Sequence, residues 1–205
     1  MMKKTHSKGQ PSPQASGTIE RISQEYIDYA SDCPNQRLFL GLKHALGQLP
    51  DPSIERQNKR CTQARTLLGK LSAIKHENLR NDDKIDLELI RLSLEKDIHD
   101  IEIAFNNHTS AEQNPRAGRD IGNGISYLLT SNALPQEERL ELIQNRIALI
   151  PEYLKEAAIT LKQPVSNWRQ VEEKQLLGLS SLFDAVEELQ QKKSDKQRGQ
   201  AEQAI

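Results

Sequence analysis

A chain of 205 residues is long enough for one helical domain or two small ones. Its composition, with 36% hydrophobic and 28% charged residues, is typical of a folded protein. Its 28 basic and 29 acidic residues are interleaved, so no basic stripe is available to bind nucleic acid. The apolar runs are short, and residues 5–10 are polar where a signal peptide would be apolar, so neither a membrane span nor an export signal is predicted. We therefore expect a cytoplasmic protein.

The composition changes at both ends of the chain. Residues 1–17 combine Lys, Ser, Gln, Gly and two prolines without an apolar period, which predicts a disordered arm. Residues 192–205 are rich in Lys, Gln, Asp and Gly, which predicts a polar tail. Between these segments, residues 18–191 are predicted to form a single helical domain.

Apolar residues in the first third of the chain recur at intervals of three and four, which predicts amphipathic helices. The first helix is expected to bury Ile19, Ile22, Tyr26 and Tyr29. A second is expected to bury Leu38, Leu42, Ala45 and Leu49 and to stop at Pro50. Asp51 is predicted to cap the third, with Pro52 in the first helical position. The third helix is expected to bury Ile54, Cys61, Ala64, Leu68 and Leu71.

The clearest apolar stripe follows Asn81, which is predicted to cap a long helix with Asp82 and Asp83 in its first turn. The stripe consists of Leu87, Ile90, Leu94, Ile98, Ile101 and Phe105. A second stripe beside it consists of Ile85, Leu89 and Leu92. Because the apolar arc is so wide, this helix is expected to be central and to be contacted on more than one side.

Three further helices are predicted after the polar stretch at 106–115. Gly118, Gly122 and Gly124 give the first a small-residue face where another backbone comes close, since a phosphate-binding loop would need a preceding strand. Pro151 interrupts the apolar stripe of the second and predicts a kink. Ser166 is predicted to cap the last helix, whose buried side is expected to hold Trp168, Val171, Leu179, Leu182, Val186 and Leu189. The predicted fold class is all-α, a multi-helix array of about seven to eight helices with one long central helix and one proline-kinked helix.

The nearest approach to a metal motif is His76-Glu77-Asn78-Leu79-Arg80. A zincin helix needs His-Glu-x-x-His, because histidines four residues apart share one face and the Glu activates the zinc-bound water. Arg80 stands where the second histidine is required, and its positive charge would repel the ion. The segment is therefore interpreted as a chance His-Glu pair.

Other chemical motifs are equally incomplete. Glu95 and His99 lie four residues apart and are expected to form an exposed ion pair, although a metal-dependent hydrolase using them is an open alternative. Cys33 and Cys61 form no CxxC pair and are interpreted as reduced, mostly buried thiols. The sequence therefore predicts no catalytic residue, no cofactor-binding residue and no metal ligand.

Several short segments, in order, resemble the N-terminal half of a bacterial family catalogued as domain of unknown function 885. The early matches are Pro34, Leu40-Gly41-Leu42 and Leu49-Pro50-Asp51-Pro52-Ser53. The later ones are Asp83 to Leu94, Asn114-Pro115, Arg146, Ile147, Ile150-Pro151-Glu152-Tyr153-Leu154, Ala157, Leu161, Pro164 and Trp168. The resemblance implies a helical, zincin-like protein similar in shape to Taq-type carboxypeptidases, in which the zinc motif belongs to the C-terminal half. The matched positions look structural: glycine packing, a proline kink and a tryptophan anchor.

Two functions are compatible with this resemblance. In the first, the chain is the non-catalytic N-terminal portion of a metallopeptidase-like protein, without activity of its own, and walls one side of a substrate cleft in partnership with a C-terminal catalytic half. In the second, it is a stand-alone helical scaffold that binds a partner through an exposed apolar groove, or forms a homodimer. Neither function requires a cofactor, a nucleic acid or a membrane.

Overall fold

The computed structural model describes residues 13–75 and 79–203, and helices dominate these residues. Eight helices occur in them, which confirms the predicted all-α class. They are α1 (Pro13–Ala30), α2 (Pro34–Phe39), α3 (Ile54–Ser72), α4 (Asn81–Glu102), α5 (Ser110–Gln113), α6 (Ala117–Thr130), α7 (Gln136–Thr160) and α8 (Ser166–Gln203). Two two-residue strands, β1 (Ala104–Phe105) and β2 (His108–Thr109), pair antiparallel in a short hairpin after α4. No helix in the described part of the chain has the length and apolar composition that a membrane span requires.

The described chain divides into two compact units. The first contains residues 13–30, 57–75 and 79–103, and the second contains 31–56 and 104–203. Helix α1 begins at Pro13 and α8 ends at Gln203, so helical backbone extends into the segments that were predicted as an arm and a tail. The grouping of residues 18–191 into a single domain stays a prediction.

The core of the first unit is formed by one face each of α1, α3 and α4 and by one leucine that precedes α4. It contains Ile19, Ile22, Tyr29, Ala64, Leu67, Leu71, Leu79, Leu87, Ile90 and Leu94. The predicted burial is therefore confirmed for these members of α1 and for Ala64, Leu71, Leu87, Ile90 and Leu94. Phe105 was predicted to continue the stripe of α4, and this was wrong: α4 ends at Glu102, and Phe105 lies in β1 and is exposed. The second stripe of α4 was predicted to be buried as well, and this was wrong: Ile85, Leu89 and Leu92 are exposed. The helices packed in this core cover only one side of α4.

Helices α6, α7 and α8 supply most of the core of the second unit. Its buried members include Ile121, Ile125, Leu128, Ile143, Tyr153, Leu179 and Val186. Helix α7 continues through Pro151, whose missing N–H leaves one carbonyl of the preceding turn without its helical donor. The glycine-bearing helix predicted at 118–129 is confirmed as α6.

The predicted second helix is much shorter than expected, because α2 ends at Phe39 instead of continuing to Leu49. Gly41 has a φ of 72°, in the left-handed region that favours glycine. Its N–H donates to the Leu38 carbonyl and that of Leu42 to the Arg37 carbonyl, the two hydrogen bonds of a Schellman termination. The start of α3 is also shifted, since Ser53 Oγ, not Asp51, accepts the capping hydrogen bond from the Arg56 N–H at 3.1 Å.

Candidate functional site

Of the residues considered for metal motifs, Arg80, Glu95 and His99 lie in the described part of the chain. His76 and Glu77 lie outside the described residues. Arg80 forms two hydrogen bonds with the carboxylate of Asp83, at 2.9 and 2.8 Å, in the first turn of α4. This pairing lowers the pKa of Asp83 and gives Arg80 a role in starting the helix.

Glu95 and His99 are on the surface of α4, but they do not form the predicted ion pair. Glu95 Oε1 accepts a 2.6 Å hydrogen bond from Arg91 Nη1, while His99 Nδ1 lies 3.7 Å from Asp100. Across residues 13–75 and 79–203, no three His, Cys, Asp or Glu side chains are grouped suitably for a metal ion. Both cysteines are free; Cys61 is buried, which raises its pKa, and its Sγ donates to Glu102, whereas Cys33 is only half-buried.

The N-terminus of α6 carries a buried carboxylate from α8. Glu172 Oε1 accepts a 2.6 Å hydrogen bond from the Gly118 N–H, one of the N–H groups that a helix leaves unpaired in its first turn. The positive end of the helix dipole also favours a negative charge at this place. Glycine is needed at position 118 because a Cβ there would lie 2.8 Å from Gln175 Cβ and 3.0 Å from the Leu176 backbone N. The predicted close backbone approach at the small-residue face is therefore confirmed at Gly118.

Glu172 was missed by sequence reasoning although it is only 5% exposed. The apolar stripe of α8 had been extended back to Trp168 and Val171, and this was wrong because both are exposed. A step of seven residues back from the buried Val186 and Leu179 leads to Glu172 instead, and this spacing was the available signal. The hydrogen-bond donor of this carboxylate belongs to a different helix, so the sequence of α8 does not identify it.

Glu172 also lines a small open cleft on the second unit, which we call the α6 cleft. Its volume is about 110 Å³, and it is lined by Asn114, Pro115, Arg119, Trp168, Val171, Glu172 and Gln175. Oε1 of Glu172 is held by Gly118, but Oε2 has no hydrogen-bond partner among the described residues. A buried carboxylate oxygen in this state can accept a hydrogen bond from a ligand.

A second polar contact stabilises α6 two residues further along, at Asp120. The phenol of Tyr153 donates a 3.0 Å hydrogen bond to Asp120 Oδ2, and Arg119 Nε lies 3.6 Å from Asp120 Oδ1. Burial, together with the negative charge of Asp120, raises the pKa of Tyr153 well above its ordinary range. Tyr153 therefore remains protonated and acts as a hydrogen-bond donor.

Arg146 is fully buried in the second unit and joins three segments. Its Nε donates to the Leu46 carbonyl and its Nη1 to Asn35 Oδ1, both at 2.6 Å, while Asn35 Nδ2 donates to the Asp120 carbonyl at 2.7 Å. Gly124 provides the necessary space, since a Cβ there would overlap Nη1. Burial among neutral acceptors lowers the pKa of Arg146 to about 10. The third nitrogen, Nη2, has no partner among the described residues.

These arrangements are suited to holding structure and to binding, and they differ from the arrangement of a nucleophile beside a base. Arg146 and Tyr153 direct their hydrogen bonds to groups within the fold. Glu172 combines a buried charge with a position on a cleft.

Comparison with known proteins gives one match. A family model described as "Bacterial protein of unknown function (DUF885)" matches residues 34–204. No curated protein and no solved structure matches the chain.

Proposed function

The chain belongs to this bacterial family, and we propose that it forms a non-catalytic helical part of a zincin-like, metallopeptidase-related protein. In this role it resembles the N-terminal portion of such proteins and has no hydrolytic activity of its own. Its task is to wall one side of a substrate cleft while another polypeptide region supplies the catalytic groups.

The roles of the matched residues support this proposal. Gly41 ends α2 through its left-handed backbone, and Ser53 caps α3. Arg146 connects α7 to Asn35 and to the Leu46 carbonyl. Tyr153 joins α7 to α6. Each of these residues stabilises a turn, a helix end or a helix contact, as expected of a supporting wall.

The observation that carries the proposal is the apolar surface left open on α4, with further exposed apolar residues on α8. On α4 it comprises Ile85, Leu89 and Leu92, which are 57%, 60% and 49% exposed and are spaced along one face. On α8, Val171 and Leu177 are likewise exposed. A contiguous apolar face such as that of α4 marks a contact with another polypeptide. A catalytic region packed against the chain would bury such faces.

The absence of intrinsic activity is tested with purified, folded chain and a mixture of peptide substrates. The chain is stripped with a chelator, dialysed and supplied with Zn²⁺, and both metal content and peptide hydrolysis are measured. We expect less than stoichiometric zinc and hydrolysis equal to that of the buffer control. Hydrolysis that appears with Zn²⁺ and disappears with chelator would contradict the proposal.

The supporting role is tested by a chimera. The matched segment of a family member that carries His-Glu-x-x-His is replaced by residues 34–204 of this chain, and zinc-dependent peptide hydrolysis is compared with that of the parent. We expect a folded, active chimera. A second chimera with Leu89→Lys should lose activity or fold less stably. The substitution would bury an unpaired charge where the apolar face of α4 packs against the catalytic region. A folded but inactive first chimera would refute the supporting role.

A stand-alone scaffold or homodimer is the second candidate, and one aromatic pair favours it. Phe39 and Tyr127 have ring centroids 6.5 Å apart and are 70% and 38% exposed. Aromatic side chains are enriched at protein interfaces. Light scattering at increasing protein concentration should then give an apparent molar mass that rises above that of the monomer. Phe39→Ser should keep the molar mass at the monomer value. A monomer at every concentration would exclude the homodimer without affecting the first proposal.

A further inference from the structure

We infer that the α6 cleft binds a primary ammonium group, with the carboxylate of Glu172 as its acceptor. This inference is independent of the role proposed above. It rests on the unpaired Oε2 of Glu172, on the side chains that line the cleft and on the size of the cleft.

The carboxylate of Glu172 is positioned but only half used. The Gly118 N–H fixes Oε1 at 2.6 Å, so the plane of the carboxylate is held by the backbone of α6. Oε2 is buried and has no hydrogen-bond partner among residues 13–75 and 79–203. An ionised carboxylate only accepts hydrogen bonds, so the missing partner must be a donor, and a cationic donor gives the strongest bond.

The charges around the cleft favour a cation over an anion. A bare helix N-terminus attracts anions, but here Glu172 already supplies the negative charge at the start of α6. Arg119 is the cation that lines the cleft, and its Nε lies 3.6 Å from Asp120 Oδ1. With Arg119 placed beside Asp120 in this way, a cationic ligand would add to the stabilisation that the Gly118 N–H gives Glu172.

The other lining groups and the volume define the kind of cation. Trp168 also lines the cleft, and an aromatic ring attracts a cation near its face. Asn114 and Gln175 provide neutral amide groups. The volume of about 110 Å³ exceeds that of a single water site but is well below the roughly 300 Å³ at which pockets for whole drug-sized molecules begin. One ammonium group with a short alkyl stem fits this space.

Such an ammonium group has two sources, a free alkylamine or a polypeptide that presents a lysine side chain or an N-terminus. Trp168 is the one tryptophan in the sequence, so its fluorescence reports on this cleft alone. The full chain is titrated at pH 7 and constant ionic strength with n-butylamine, with Nα-acetyl-lysine methylamide and with glycylglycine amide. Uncharged n-butanol and methylguanidine serve as comparison probes.

We expect a saturable change with at least one ammonium probe and none with n-butanol. Glu172→Gln should weaken binding about tenfold or more, because it removes the charge-assisted hydrogen bond while an amide oxygen still accepts from Gly118. Glu173→Gln is the matched control. Glu173 follows Glu172 in the sequence, its side chain is 61% exposed, and its substitution should leave binding unchanged. Circular dichroism confirms that both variants are folded.

The outcomes separate clearly. Preference for n-butylamine assigns a free amine, and preference for the lysine or dipeptide probe assigns a polypeptide. Three results would overturn the inference: no saturable response to any ammonium probe, equal binding by wild type and Glu172→Gln, or tighter binding of methylguanidine than of every ammonium probe.

Discussion

Substitution of Gly124 by alanine tests whether the buried Arg146 network stabilises the second unit. The added Cβ would overlap Arg146 Nη1 and would lie 2.7 Å from Asn35 Oδ1. Arg146 is 0% exposed, so its guanidinium has no route to solvent without moving the surrounding helices. We therefore expect the hydrogen bonds to Asn35 and to the Leu46 carbonyl to be broken or strained.

The magnitude follows from the groups involved. A hydrogen bond from a charged donor contributes about 1.5–3 kcal/mol, so loss of both would cost about 3–6 kcal/mol. Alanine has a higher helix propensity than glycine by about 1 kcal/mol, which offsets part of this loss. The expected net destabilisation is about 2–5 kcal/mol. Gly178→Ala is the matched control, since it lies in α8 of the same unit and no described atom is within 4 Å of its added Cβ; it should stabilise by about 1 kcal/mol.

Urea unfolding followed by Trp168 fluorescence measures both variants in the unit that contains them. A double-mutant cycle with Arg146→Met isolates the overlap with Arg146, because Gly124→Ala should cost less once the guanidinium is absent and only the contact with Asn35 remains. If Gly124→Ala unfolds at the same urea concentration as Gly178→Ala, the Arg146 network contributes no measurable stability and the reasoning is refuted.

Three further predictions concern polar and close contacts of the same unit. Hydrogen bonds from Lys162 and from the Thr109 N–H hold the pKa of Glu112 at about 2, below its ordinary 4.5, so the stability that ionised Glu112 contributes is present above pH 4.5 and is lost as the pH falls towards 2. The difference in urea midpoint between wild type and Glu112→Gln should therefore shrink over that pH range. A difference that stays constant would contradict this prediction. Tyr153→Phe leaves the half-buried Asp120 without its phenol donor and should cost about 1–2 kcal/mol in urea unfolding, whereas an unchanged midpoint would mean that water replaces the bond. Gly118→Ala should lower the thermal midpoint by several degrees, because the added Cβ would push α8 away from α6. A rise in the midpoint would show that α8 moves without loss of stability.

Periodicity predicted the helical segments well where one apolar face meets one core. The spacing of Ile19, Ile22 and Tyr29 in α1 and of Leu87, Ile90 and Leu94 in α4 matched their burial. It failed in the 34–53 region, where Leu42, Ala45 and Leu49 continue the helical spacing beyond Gly41. There the left-handed conformation of one glycine ended the helix, because local backbone geometry outweighed the apolar pattern.

The candidate site was less predictable than the fold. Arg146 and Glu172 are charged residues in a core, and their burial depends on acceptors or donors from distant parts of the chain: Asn35 and Leu46 for the first, Gly118 for the second. Charged residues are buried only when such partners are in place. No helical period in α7 or α8 specifies a partner more than fifty residues away along the chain.

The sequence by itself determined that this protein is helical, where most of its helices lie and which family it resembles, because these properties depend on residue spacing along one chain segment. Tertiary structure decided that α4 buries only one of its two apolar stripes and that Trp168 lies at a cleft instead of in the core. It also decided that a glutamate takes a core position of α8. The physical reason is that burial and charge compensation depend on contacts between two elements. The residue spacing within one helix does not show which other helix will pack against it.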